Sequence, residues 1–152
     1  MHTRRWLFAI LLILVSCAGA STRPGLDDFR RALNQPGLTE MDIFSIPVEI
    51  NFQHAVQPDD LLMNYNCKLI VRGHAVSIHA SQLAQTIQKA VAKRTSHQPD
   101  VRWAVRVTDG HSEEYLFADG FGTWLEYKKE VFEIRPPILD WFRSRIPGCL
   151  PQ

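Results

Sequence analysis

Side chains able to do acid–base or nucleophilic work are spread along this chain rather than gathered. His74 and His79 are five residues apart, and His54, His97 and His111 stand elsewhere. No two of them show the i,i+4 helical spacing, or the cysteine–histidine framework, from which a zinc site is built. Surface or turn histidines are therefore expected, and no metal. Cys67 and His74 would act as nucleophile and base only if the thiol stayed reduced and ionised. Glu113, Glu114 and Asp119 raise a different chemistry, because two carboxylates a few ångströms apart can divide the acid and base roles of sugar cleavage. Adjacent residues on a strand point to opposite faces, however, so only one of Glu113 and Glu114 can serve a given site, and both adjoin a turn where charge is ordinary. There is no glycine-rich phosphate loop and no G-x-S-x-G elbow. The expectation is a protein that is not an enzyme and carries no cofactor.

The remaining signal is aromatic. Trp103, Tyr115, Phe117, Phe121, Trp124, Tyr127, Phe132, Trp141 and Phe142 crowd the last third of the chain. Alternation places Trp103 with Val105 and Val107, which reads as core. Phe121 and Trp124 fall at a bend, with Asp109, His111 and Asp119 nearby, and serve either the core or a partner-binding surface of aromatic anchors rimmed by polar groups. The candidate contact residues are those of two bends, Asp109, His111, Glu113 and Glu114 in the first and Asp119, Phe121 and Trp124 in the second.

These residues must be positioned by the elements around them. Asp27 to Leu33 reads as a short helix with acids in its first turn and Phe29 and Leu33 at i,i+4, ended by Gln35-Pro36-Gly37. From Ile43 the period becomes two, and Ile46, Val48, Ile50 and Phe52 form an alternating row that predicts a half-buried strand, with Pro47 favouring an edge or a strand start. Cys67 to Arg72 predicts a second strand, and Ala75 to Ile78 either pairs back or leads into a helix. Ser81 to Arg94 predicts the main helix, since Leu83, Ile87, Ala90 and Val91 share a face, with Lys89, Lys93 and Arg94 at its C-terminal end.

An antiparallel meander is expected next. Val101, Trp103, Val105 and Val107 share one face of its first strand, Asp109-Gly110 turns it, and Tyr115 to Ala118 returns. Gly120-Phe121-Gly122 bends the chain again, and Thr123 to Lys128 and Val131 to Arg135 supply two more strands. Pro136-Pro137 opens a last helix, Ile138 to Arg145. The fold class is therefore α+β: an antiparallel sheet of about five to six strands, one main helix on a face and short terminal helices.

The N-terminus carries the clearest message. Trp6 to Val15 is a short apolar run preceded by Arg4 and Arg5 and followed by small residues, which is the layout of a secretory signal and too short for a membrane span. Leu14-Val15-Ser16-Cys17 resembles the lipobox of bacterial lipoproteins. That resemblance implies cleavage before Cys17, a diacylglycerol thioether on its sulfur and acylation of the new amino group, with palmitate-type chains. Ala18 after the cysteine, where an Asp would retain such a protein at the inner membrane, implies the outer membrane and its periplasmic face. Ordinary cleavage after Ala20, within Ala18-Gly19-Ala20, is the competing reading. The expected organisation is a signal peptide over 1–16, a tether over 17–25 and one domain over 26–152.

Removing Arg4 and Arg5 with the signal leaves 15 basic against 16 acidic residues, a near-neutral balance without the basic excess of a nucleic-acid binder. With Cys17 lipidated or removed, Cys67 and Cys149 are the two cysteines left in an oxidising compartment, and they are expected to pair. Closing a loop of that length stabilises by roughly 4 kcal/mol in the chain-entropy model. Small single-domain bacterial lipoproteins of this build are similar to two groups. One is the periplasmic immunity proteins, which bind and neutralise an envelope-attacking toxin as stoichiometric inhibitors. The other is the non-catalytic accessory lipoproteins of envelope or secretion assemblies. The expected partner is a secreted, envelope-targeting toxin, because an inhibitor needs only a stable scaffold with projecting loops, which the meander offers.

Overall fold

A computed structural model describes residues 24–147. Cys17, with the expected signal peptide and most of the tether, and Cys149 lie outside the described residues. Among the described residues the fold is α+β, with seven strands rather than five or six. All neighbours in the single sheet run antiparallel, in the order β2-β1-β4-β5-β6-β7-β3. The strands are β1 Glu40–Ser45, β2 Cys67–Arg72, β3 Val91–Thr95, β4 Val101–Thr108, β5 Glu113–Asp119, β6 Trp124–Tyr127 and β7 Glu130–Arg135; the helices are α1 Pro24–Leu33, α2 Pro58–Asn64, α3 His74–Lys89 and α4 Leu139–Arg143.

The two outer strands are joined through α3. A 16-residue helix is about 24 Å long, close to the roughly 29 Å width of seven strands, so α3 carries the chain from the β2 edge to the β3 edge. Val76, Ala80, Leu83, Ala84 and Ile87 form its buried stripe at helical spacing. Gly73, at φ 64° and ψ −144°, turns the chain out of β2 in a conformation that favours glycine, which settles Ala75 to Ile78 as helix. The expected end at Arg94 is corrected. Ala90 is already extended, and Val91 to Thr95 pair with Arg135 to Val131 of β7. A ladder of backbone hydrogen bonds on a β-branched start outweighs the helical spacing of Val91, whose side chain is 68% exposed.

The main core lies between α1, α3 and α4 and one face of the sheet. Trp103, Val105 and Val107 of β4 and Leu116 and Ala118 of β5 meet Phe29, Leu83 and Phe142 there, with Leu125 and Tyr127 of β6 alongside. Tyr127 is buried, its ring 5.3 Å from that of Phe29, and its hydroxyl donates to Glu114 at 2.8 Å. Each fully buried side chain of this size contributes about 1.5–3 kcal/mol. Val101 does not share this face as expected. A register shift between Val101 and Trp103 turns it to the other side, where it joins Phe44, Ile46, Val56, Leu61 and Ala104 in a second, smaller core under α2.

The expected strand through Ile46, Val48, Ile50 and Phe52 is also corrected. β1 ends at Ser45, Ile46 makes one more hydrogen bond to the Arg102 carbonyl (2.9 Å), and Pro47 has no N–H with which to continue. The Ile50 N–H then turns back onto the Pro47 carbonyl at 3.1 Å. Val48, Ile50 and Phe52 are left exposed in a loop. Cys67, at the head of β2, is disulfide-bonded. No helix among the described residues is long and apolar enough to cross a membrane.

Candidate functional site

The two bends proposed from sequence stand at opposite ends of β5. Six residue steps of about 3.4 Å separate Glu113 from Asp119, roughly 20 Å, so each bend is built by its own local bonds. At the first end, Asp109 accepts the N–H groups of His111 and Ser112, each at 2.8 Å, and these bonds, that from Ser112 foremost, hold its carboxyl below the ordinary range. Gly110 (φ 90°) completes the turn, and His111 is exposed. Asp109 thus shapes its own loop.

Glu113 and Glu114 diverge, as neighbours on a strand do. Glu114 takes the Tyr127 hydroxyl and the Lys128 ammonium, at 2.8 and 3.0 Å. Glu113 accepts from Arg106 Nη1 at 2.6 Å and from the Tyr115 hydroxyl at 2.8 Å. Arg106 also reaches Asp42 at 2.8 Å and Glu40, Lys68 lies 2.9 Å from Asp42, and Arg72 binds Glu40 at 2.6 Å. Asp42, fully buried, sits between two cations. Three carboxylates and three cations balance in this network, and Glu113 is held in it by Arg106 and Tyr115.

The second bend is built differently. Asp119 is buried, and its carboxylate accepts three backbone N–H groups, those of Thr123 (2.6 Å), Trp124 (2.9 Å) and Phe121 (3.3 Å). Gly122 is held at φ 65° against α4, where an added Cβ would stand 2.5 Å from the Leu139 nitrogen. This frame projects Phe121, which is 66% exposed, and props Trp124, half-buried beneath the His97 ring with centroids 4.3 Å apart.

The loop after β1 meets the same bend. A Cβ on Gly120 would lie 2.5 Å from Val48 Cγ1, so the two segments touch. Arg102, itself buried, fixes this loop by donating to the carbonyls of Pro47 (3.1 Å) and Ile50 (2.8 Å) and to Asp100 (2.8 Å), and it lies 5.3 Å from the Phe52 ring centroid. A groove of about 320 Å³ runs between Val48, His97, Arg102, Phe121 and Trp124. Val48, Phe52, His97 and Arg102 were missed from sequence. The alternation that made Val48 and Phe52 look like strand positions was the signal, but the chain leaves the ladder at Pro47 and sets them in a loop. Arg102→Met is expected to cost about 2–3 kcal/mol in urea denaturation and to speed hydrogen exchange across residues 46–57. Unchanged exchange would show that the loop does not depend on Arg102.

The second face of the sheet stays open beyond this loop. α2 packs on β4 and β1, while Tyr115, Phe117, Trp124, Glu126 and Val131 remain half-exposed. A second groove, about 710 Å³, lies here between α2 and the β6–β7 hairpin, with Leu62, Tyr115, Phe117, Glu126 and Lys129 on its walls. Trp124 and Glu126 are two residues apart on one strand face, so the two grooves adjoin, about 7 Å apart along β6. No three His, Cys, Asp or Glu side chains among the described residues gather as metal ligands. No protein-family profile, curated protein or solved structure matches the chain.

Proposed function

We propose that this chain is an outer-membrane lipoprotein, anchored through Cys17 and facing the periplasm, that binds and neutralises a toxin attacking the cell envelope. One observation supports it above the others: an exposed apolar end, where Val48 and Phe121 line a groove with Trp124 and Phe52 lies against Arg102, carried on loops that are already ordered. Exposed large apolar side chains brought together are what a protein partner buries. Arg102 and Asp119 hold the two loops in place through five hydrogen bonds to backbone groups, so little order has to be imposed on binding. A stoichiometric inhibitor needs such a surface and no reactive group.

The lipid anchor is tested separately. Labelled palmitate is expected to enter the wild type and not Cys17→Ser. Unlabelled wild-type protein beginning at Ser21 would replace the anchor with simple secretion. The toxin reading is tested by co-expression in the periplasm with envelope-directed hydrolases, beginning with any encoded beside this chain. A neighbourhood of envelope-assembly genes and no neutralised toxin would turn the reading to an accessory lipoprotein.

A further inference from the structure

The open sheet face carries a carboxylate that no hydrogen bond accounts for. Glu126 stands opposite Phe117 of β5 and Val131 of β7, with Trp124 two residues before it on the same face. Apolar neighbours on three sides strip water from the group, and burial pushes its pKa up, against the opposing pull of the Lys129 ammonium. Among the described residues Glu126 takes part in no side-chain hydrogen bond and no ion pair within 4 Å; Glu49, which also has none, is exposed in a loop, whereas Glu40, Glu113, Glu114, Glu130 and Glu133 each have a basic partner. Beside it the Tyr115 and Phe117 rings lie nearly parallel, 6° apart in plane and 6.0 Å between centroids, and form one wall of the larger groove.

An unpaired, partly desolvated carboxylate at the foot of an aromatic wall is complementary to one kind of group. A guanidinium is planar, is weakly hydrated, stacks on aromatic faces and binds a carboxylate through two parallel hydrogen bonds. We infer that the groove between α2 and the β6–β7 hairpin receives an arginine side chain of the partner protein, paired with Glu126 and stacked on Tyr115 and Phe117. This rests on the protein-binding reading and adds the partner's chemistry to it: an apolar contact at Phe121 and Trp124, and a cation about one groove further along β6. Lys129 sits at the second position of the Lys128-Lys129 turn, both residues at positive φ; it lines the groove, and its charge already acts on Glu126. It therefore weakens binding of an arginine.

The test needs no toxin. The full chain in detergent, its disulfide intact, is titrated with N-acetyl-arginine methylamide while its amide resonances are followed. N-acetyl-leucine methylamide and chitotriose serve as controls. Saturable shifts at Tyr115, Phe117 and Glu126 are expected with the arginine compound alone, at millimolar affinity. Glu126→Gln, nearly isosteric and on a half-exposed face, should weaken it about tenfold, and Lys129→Asn, which suits positive φ, should tighten it about threefold. No saturable shift, equal binding by Glu126→Gln, or shifts with chitotriose instead would overturn the inference. The two readings fail separately. A neutralised toxin that Glu126→Gln binds as tightly as wild type removes the arginine pocket and leaves the inhibitor. An arginine-selective groove in a chain that neutralises no toxin keeps the pocket and removes the inhibitor.

Discussion

Asp119→Ala is expected to lower the stability of this protein by about 3 kcal/mol. The side chain is 4% exposed and satisfies three backbone N–H groups of the bend between β5 and β6. Hydrogen bonds to a charged acceptor contribute about 1.5–3 kcal/mol each when intact, and an amide left buried without a partner costs about 1–3 kcal/mol, part of which entering water recovers. Domains of this size have some 5–15 kcal/mol in all, so the melting temperature should fall by about 10 °C. Asp119→Asn keeps one acceptor oxygen and should lose about half as much. The check is urea denaturation of both variants at neutral pH. A loss under about 1 kcal/mol for alanine would mean that Gly122 and its contact with Leu139 hold the bend by themselves.

The second large effect is on binding. Phe121→Ala and Trp124→Ala are each expected to cost about 2 kcal/mol of partner affinity, some thirtyfold, as a central aromatic anchor does. Stability separates the two. Phe121 is 66% exposed, and its removal should change folding by no more than about 0.5 kcal/mol, whereas Trp124 supports the His97 ring and should cost more. His111→Ala, roughly 20 Å away at the other end of β5, should bind as the wild type does. Calorimetric titration of the partner with the three variants checks the pattern. Full affinity in Phe121→Ala with a loss in His111→Ala would move the contact surface to the Asp109 end.

Much of this arrangement was readable before the structure, and the departures have physical causes. The β4–β5–β6–β7 meander follows from alternation and from turn residues, because each strand pairs with its neighbour in sequence and local signals suffice. β3 pairs with β7, about 40 residues away, and nothing local distinguishes Val91 to Thr95 from a last helical turn. α2 did carry marks of a helix start, Pro58 in its first turn and Asp60 accepting the Gln57 N–H at 3.1 Å. It is seven residues long with Leu61 as its buried residue, too short for a periodic signal.

The site shows the same division. Asp119 looked like a rim acid because a carboxylate beside Gly120 is ordinarily exposed, but three converging N–H groups stabilise it inside the bend. Phe121, left open in the sequence between core and surface, is exposed because glycines flank it on both sides and leave it no neighbour to pack on within its own turn. Its companions on the other loop were missed from sequence. Val48 and Phe52 alternate with polar residues in the way of a strand, and the loop they form instead is held by Arg102, more than 50 residues away.

Survival is the most direct measurement of the central claim. Cells expressing an envelope-directed toxin in the periplasm are given wild-type protein, Phe121→Ala, or the Phe121→Ala/Trp124→Ala pair, each first shown by circular dichroism to be folded and by fractionation to reach the envelope. The account predicts that wild type restores growth at a one-to-one ratio of inhibitor to toxin, that Phe121→Ala needs many-fold more protein, and that the double variant does not protect. Protection by the folded double variant equal to that of wild type, or no neutralised toxin among those encoded beside the chain, would contradict it.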